Sequence, residues 1–396
     1  MANGAAGAGQ VGTPQAGGGG GGGQNPFQIA TNLYAEKNLQ GSVSGFVPGA
    51  SVSAQGGSVN AGQYLRGVRL MVRTTSTGTN TGGGTNGNAA YSAGGDFPFA
   101  ALQNIDLTNV DGSEILYNMS GAAYYMSQKY FRPWLQDPAT AYDFVQAANS
   151  NTISFSLFVQ PEIRFTAGVL ANTDTRSQYR FDYSIAQASA FGTGGAPPTL
   201  AVIPYMDAWA QPDAQDLQGT ANQPVPPGVN LQVKRRHQIF TLNATGSDNI
   251  LLSTLTGNAL RGMLLVTRNT AGQRQDGFSD PFYWQLDNRS LGRLNPDIIR
   301  QWAQDFYAPL SRGGVQADPL ATGLYAGAGS NDIGVYAFPR WIEPGELVGQ
   351  GWLYTANSTK LQFESSTLAA ATGGTAELIT DEVYPVGAVD PSLVDI

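Results

Sequence analysis

The chain has 396 residues, 41% of them apolar, which is long for one core and suits two domains. Charged residues make up 13%, well under the ~25% of an ordinary soluble protein, and Gln, Asn, Ser, Thr and Gly stand in their place, so neighbouring protein is expected to cover much of the surface; a Gly-rich extracellular β protein shares that composition. There is no cysteine and one histidine, His237, which excludes disulfides, thiolate metal sites and a His-based zinc site, and a net charge of −8 argues against broad contact with nucleic acid.

Residues 1–24 are low in complexity and include the run Gly17–Gly23, which costs too much backbone entropy to order alone. A short helix is expected next, with Pro26 in its first turn and Phe27, Ile29, Leu33 and Tyr34 on one face. Two readings stand for it: a docking helix for neighbouring subunits, or a frayed terminus with one packed turn. Met1–Gly4 has no basic and apolar signal pattern, and no run reaches the ~20 apolar residues of a membrane span, so assembly in the cytoplasm is expected.

From about Gly41 the pattern is β, beginning with the alternating run Ser42–Val47. Strands are expected at Leu65–Thr75, Ile153–Val159 and Tyr179–Ile185, and an exposed Thr/Ser/Gly/Asn loop at 74–95. Three helices are expected. One runs over Ser113–Tyr130 with Ile115, Met119, Ala122, Met126 and Tyr130 on one face. Another opens at Asp137-Pro138 with Tyr142 and Val145 inward, and the third at Asn295-Pro296 with Ile298, Trp302 and Phe306 aligned. Residues 191–228, with Pro197-Pro198 and Pro224–Gly228, read as a linker whose apolar run Leu200–Ile203 packs on something. The basic run Lys234-Arg235-Arg236-His237 reads either as a contact for anions or headgroups, or as the solvated start of the strand Gln238–Leu242. Residues 369–396 read as an acidic tail.

An internal repeat decides the architecture. Gly62–Thr75 and Gly257–Thr270 share seven of fourteen residues, including Leu65-Arg66-Gly67 and Leu260-Arg261-Gly262. A second pair, Thr173–Ser184 and Thr355–Ser366, follows in the same order. The offsets are 195 and 182, a difference that the 74–95 loop absorbs. Each copy is expected to open with a Gly-x-x-Leu-Arg-Gly turn and to close with an alternating strand, in which Tyr179, Phe181 and Tyr183, or Leu361 and Phe363, face inward. Two units of this size fit an all-β fold of two tandem eight-stranded jelly rolls with a few short helices. The divisions are an arm at 1–40, rolls at 41–190 and 229–368, the linker at 191–228 and the tail at 369–396. Arg66 and Arg261 either pair with acids at a domain junction or are ordinary surface arginines.

Three stretches carry a resemblance to a known family: Leu65-Arg66-Gly67; Leu102–Asn109 with Ile115 and Ser120–Tyr124; and Gly351–Phe363. In them the chain resembles the double-jelly-roll major capsid proteins of tailless, internal-membrane icosahedral viruses, tectivirus-like phages in particular. The Gly-rich N-terminus departs from that pattern. The resemblance implies a homotrimer of six similar units with a nearly hexagonal footprint, which tiles the shell of a virion. It implies neighbouring trimers, vertex or penton proteins and minor capsid proteins as partners, and an underlying lipid membrane reached by the N-terminal arm, with no specific nucleic acid. The alternatives are a capsid protein of the tailed-phage fold, which needs a long spine helix, and a β-sandwich carbohydrate-binding or spike protein.

No enzymatic role is expected. The chain lacks Gly-x-Ser-x-Gly, GxxxxGK[ST] and HExxH, so no catalytic, cofactor-binding or metal residue is assigned. Asp106, Asp111 and Glu114 are expected to cap turns rather than form a glycosidase pair. A loop calcium site of Asp and Asn side chains has no EF-hand spacing behind it.

Overall fold

A computed structural model of the chain describes residues 33–37, 43–44, 52–61, 63–76, 79–80, 99–131, 143–147, 150–163, 168–186, 195–196, 199–210, 231–243, 247–251, 259–272, 274–287, 289–296, 298–299, 334–338, 353–355 and 360–385, with isolated positions at 213, 215, 219, 221 and 358. The N-terminal half forms β1 (Leu33–Lys37), β2 (Val43–Ser44), β3 (Val52–Ser58), β4 (Gln63–Ser76), β5 (Thr79–Asn80), β6 (Leu102–Thr108), β7 (Glu114–Met119), helix α1 (Gly121–Phe131), β8 (Asp143–Ala147), β9 (Ser150–Val159), β10 (Leu170–Asn172), β11 (Arg180–Ile185), β12 (Gly195–Ala196) and β13 (Thr199–Ala210). The C-terminal half forms β14 (Leu231–Thr241), β15 (Ser247–Leu251), β16 (Ala259–Arg268), β17 (Phe282–Leu286), β18 (Arg289–Leu294), β19 (Val335–Phe338), β20 (Leu353–Tyr354), β21 (Leu361–Ser366) and β22 (Thr375–Pro385).

Strand order identifies the architecture. In the first half, β1-β13-β4-β9 form one sheet and β3-β11-β6-β7 the other. In the second half, β14-β22-β16-β19 form one and β15-β21-β17-β18 the other. Leaving out the short additional strands (β2, β5, β8, β10, β12 and β20), both halves read first–eighth–third–sixth and second–seventh–fourth–fifth among the described strands. That is the jelly-roll order, made twice. The repeated motifs fall on equivalent strands: the Leu-Arg-Gly motif on the third (β4, β16), and the second motif on the seventh (β11, β21). The halves also share a sheet. The first strand of roll two, β14, runs parallel to the fifth of roll one, β7, through the pair Arg235↔Leu116.

Several local expectations change. Leu33 and Tyr34 lie in β1, paired with Trp209 and Ala208 of β13, rather than in a helix; residues 26–32 are outside the described residues. Residues 199–210, within the expected linker, form β13 between β4 and the β1/β2 edge. Pro204, which cannot donate to a ladder, falls between the stretches paired with β2 (201–202) and β1 (205–209). Residues 375–385, within the expected tail, form β22 at the centre of the second roll's sheet. The helix expected over Ser113–Tyr130 is a strand, β7, followed by α1. A hairpin turn precedes β7: Gly112 takes a φ of 83°, and Asp111 accepts a hydrogen bond from the Ser113 backbone at 2.8 Å. Ser120 then caps α1, its hydroxyl accepting from the Ala123 N–H at 3.1 Å. Val145 lies in β8, while Tyr142, Trp302 and Phe306 are outside the described residues, as is most of the 74–95 loop. At the Asn295 turn it is Ile299 that is buried, and Ile298 is exposed.

Two hydrophobic clusters fill the rolls. The first joins the inner faces of roll one, such as Val68, Leu70, Val72 and Phe181, with α1. It also takes in Leu264, Val266, Val335, Ala337 and Ile379 from roll two. The second holds Met263, Leu265, Leu378 and an aromatic group in which the Phe282 and Phe363 rings lie 4.1 Å apart. Alternate residues of β16 thus enter different cores. The strand is buried on both faces, which is why its sequence reads as a continuous apolar run.

Candidate functional site at the seam between the rolls

The Leu-Arg-Gly motif is a bulge inside a strand, not a turn before one. Leu65 faces Ala208 and Gly67 faces Asp207, so Arg66 is the extra residue of β4. In the same way Leu260 faces Glu382 and Gly262 faces Asp381, and Arg261 is the extra residue of β16. Each bulged arginine meets the aspartate opposite its glycine. Arg66 binds Glu162 at 2.8 Å and Asp207 at 3.3 Å, and Arg261 binds Asp381. Of the two readings of these arginines, the acid-paired one holds. Gly67 is required by close approach, because a Cβ there would stand 2.2 Å from the Val159 carbonyl oxygen.

The basic run lies within β14 and pairs with the acidic C-terminal strand. Lys234 faces Glu382 and Arg235 faces Asp381 in the ladder. Arg236 reaches Glu382 at 3.5 Å, and His237 approaches Glu377 at 3.6 Å. Arg268 of β16 binds Glu377 at 2.7 Å. The run is therefore neither an open anion site nor a solvated strand start, since Arg235 is only 4% exposed.

Arg235 is where the rolls meet. It donates to the hydroxyl of Tyr124 on α1 at 2.5 Å and lies 3.8 Å from Asp381. The Tyr124 hydroxyl donates to the Phe158 carbonyl and accepts from the Gln160 N–H, both at 2.9 Å. The Gln160 side chain donates to Glu162 at 2.9 Å, and Glu162 also takes the Trp209 indole at 2.8 Å and Arg66. A continuous polar chain thus runs from Arg261 and Asp381 through Arg235, Tyr124, Gln160 and Glu162 to Arg66 and Asp207. It connects the two equivalent bulges through the interior. His237 adds a second link, its Nδ1 lying 3.1 Å from the Asn118 carbonyl of β7.

Burial sets the electrostatics. The Asp207 carboxyl is pushed up by burial, against the opposing pull of Arg66 and Arg69. Burial also tends to raise Glu377, but the hydrogen bond and charge of Arg268, with the His237 ring close by, outweigh it and hold it at about 2. Asp106 is raised, first by burial, while its carboxylate accepts from the Asn118 N–H. Glu114, the other carboxylate picked out with Asp106 and Asp111, heads β7 and is exposed.

Replacing Tyr124 by Phe is expected to cost about 1–3 kcal/mol, because it strips partners from Arg235, Phe158 and Gln160 at once. Urea unfolding measures this, and a cost under ~0.5 kcal/mol, the range of a neutral surface change, rules out the bridge. The sequence singled out Arg66, Arg261 and the basic run, and Tyr124 only as the end of a resemblance stretch, but not Glu162, Asp207, Glu377 or Asp381. The available signal was the matching acid-rich stretch Glu377–Glu382.

No protein-family model matches the chain, and no curated protein does. Solved structures do match. The STIV MCP is 14% identical with a TM-score of 0.59, over 92% of this chain and 100% of that one. A chain of Sulfolobus turreted icosahedral virus is 12% identical with a TM-score of 0.58, over 90% of this chain and 91% of that one. A chain of the PBCV-1 virus capsid is 12% identical with a TM-score of 0.53, over 91% of this chain and 95% of that one. The chain has the double-jelly-roll fold of viral major capsid proteins.

Proposed function

We propose that this chain is a structural major capsid protein that tiles an icosahedral virus shell as pseudo-hexagonal homotrimers. The observation that carries this reading is the fusion of two equal rolls through one shared sheet. A rigid pair of like units lets one polypeptide occupy two of six similar positions around a ring. The domains on this reading are the rolls at 33–210 and 231–385. Neighbouring trimers, vertex proteins and minor capsid proteins are the remaining partners. The first 32 residues act as an arm toward neighbouring subunits or underlying lipid. The protein works in the virion after assembly in the host cytoplasm, and its role is non-enzymatic. The low charge of the sequence supports a surface largely covered by protein.

Light scattering on the purified protein tests the proposal. The expected mass is three times the 41.6 kDa of the chain, with plates or shells visible by electron microscopy at high concentration. A strict monomer at every concentration defeats it.

A further inference from the structure

The two rolls share a sheet, yet their strands touch only briefly. β7 of roll one and β14 of roll two register through the single parallel pair Arg235↔Leu116. Two residues further along each strand, side chains take over the joint. His237 is the only histidine of the chain, and its side chain is 7% exposed. Its Nδ1 lies 3.1 Å from the Asn118 carbonyl oxygen of β7, and its Nε2 lies 3.6 Å from Glu377 Oε2 of β22. Asn118 has a φ of 49° and no register partner in β6 or β14 among the described pairs. Its N–H donates to the Asp106 carboxylate instead, and its carbonyl faces His237.

Both ring nitrogens therefore face oxygen atoms, and neither oxygen can donate. One is a backbone carbonyl, and the other belongs to the Glu377 carboxyl, which is held at about 2 and so is ionised near neutral pH. A neutral imidazole carries one N–H; it can present that to one oxygen and sets a lone pair against the other. An imidazolium presents N–H to both. The surrounding charges are mixed. Glu377 and Asp381 of β22, Asp106 of β6 and the exposed Glu114 of β7 favour a charged ring. The arginines oppose it, but each has its own acid: Arg268 is bound to Glu377 Oε1 at 2.7 Å, Arg236 lies 3.5 Å from Glu382, and Arg235 and Arg261 share Asp381.

We infer that His237 is a proton-operated clasp between the rolls: the imidazolium ties the Asn118 carbonyl of roll one to Glu377 of roll two, and the neutral ring releases one of them. The clasp is closed where the ring is charged and opens as pH rises through the range in which imidazoles titrate, roughly pH 5–8. Arg235 still binds Tyr124 when it opens, so the β7–β14 joint loosens without separating the rolls.

Hydrogen exchange of the full-length protein, read by mass spectrometry at about pH 5 and about pH 8 and corrected for the intrinsic rise of exchange with pH, tests the inference. β7 and β14 are expected to exchange roughly tenfold faster at the higher pH, the effect of losing one charge-assisted hydrogen bond. β17 and β21, in the other sheet of roll two, are expected not to change. His237→Gln, which keeps a donor but no titrating group, is expected to lose the response, and Asp106→Asn to keep it. An equal response in His237→Gln, or a response lost in Asp106→Asn alone, overturns the inference. The wild-type ring gives a second reading that needs no variant. With one histidine in the chain, isotope labelling of histidine yields a single set of ring signals by nuclear magnetic resonance. Both ring N–H protons are expected to be protected from water at about pH 5, and one of them to disappear by about pH 8. A ring that is already neutral at the lower pH, or unprotected there, overturns the inference.

Discussion

Asp381→Ala is expected to lower the unfolding free energy by about 3–5 kcal/mol, the usual cost of stranding a buried charge. Arg261 and Arg235 are 2% and 4% exposed and both lie against this one carboxylate. Without it, two buried guanidinium groups lose the carboxylate they share. The matching change in roll one, Asp207→Ala, is expected to cost less, roughly 1–3 kcal/mol. The Arg66 side chain is 16% exposed and keeps Glu162 as a partner. The triple variant Arg235→Met, Arg261→Met, Asp381→Leu is expected to recover most of the loss, because a well-packed apolar replacement has no charge to strand. Guanidinium unfolding followed by tryptophan fluorescence, at one fixed protein concentration, ranks the variants. Equal costs for Asp381→Ala and Asp207→Ala would show that the seam is not the more tightly coupled site.

Acid is expected to weaken the fold through Glu377. Its carboxyl sits at about 2 in the folded chain, against an ordinary 4.5. A folded value below the unfolded one means that the contribution is complete above pH 4.5 and disappears as pH falls toward 2. The shift corresponds to about 3 kcal/mol. Asp106 and Asp207 work in the opposite sense, because burial raises them and the folded chain takes up their protons first. The clean measurement is therefore a difference. Glu377→Gln is expected to be less stable than the wild type by about 3 kcal/mol at pH 6 and nearly equal to it at pH 2. A gap that stays constant over that range would show that the Arg268–Glu377–His237 cluster does not bind the proton differently in the two states.

The duplication was legible because third and seventh strands keep their motifs at nearly constant offsets. Leu65-Arg66-Gly67 and Leu260-Arg261-Gly262 recur because the same bulge needs the same residues in both rolls. The eighth strands were harder to see. β13 is flanked by Pro-rich sequence and carries Pro204, and β22 is acidic, so each looked like connecting or terminal chain. In β22 the alternation is hidden because Leu378 and Ile379 enter different cores. The start of the α1 region misled for a related reason. Ile115 and Met119 are buried four residues apart, a spacing that puts two residues on one face of a strand as well as of a helix.

By itself the sequence determined that the chain is β, that it is made of two like parts, and that no disulfide, His-based zinc site or known catalytic motif is available to it. The tertiary structure alone decided that Lys234–His237 and Glu377–Glu382 are neighbours, and that Arg235 reaches Tyr124 across the junction. The reason is physical. Local patterns report which residues avoid water, while the pairing of charges more than a hundred residues apart is set by the order and register of strands, which local patterns do not encode.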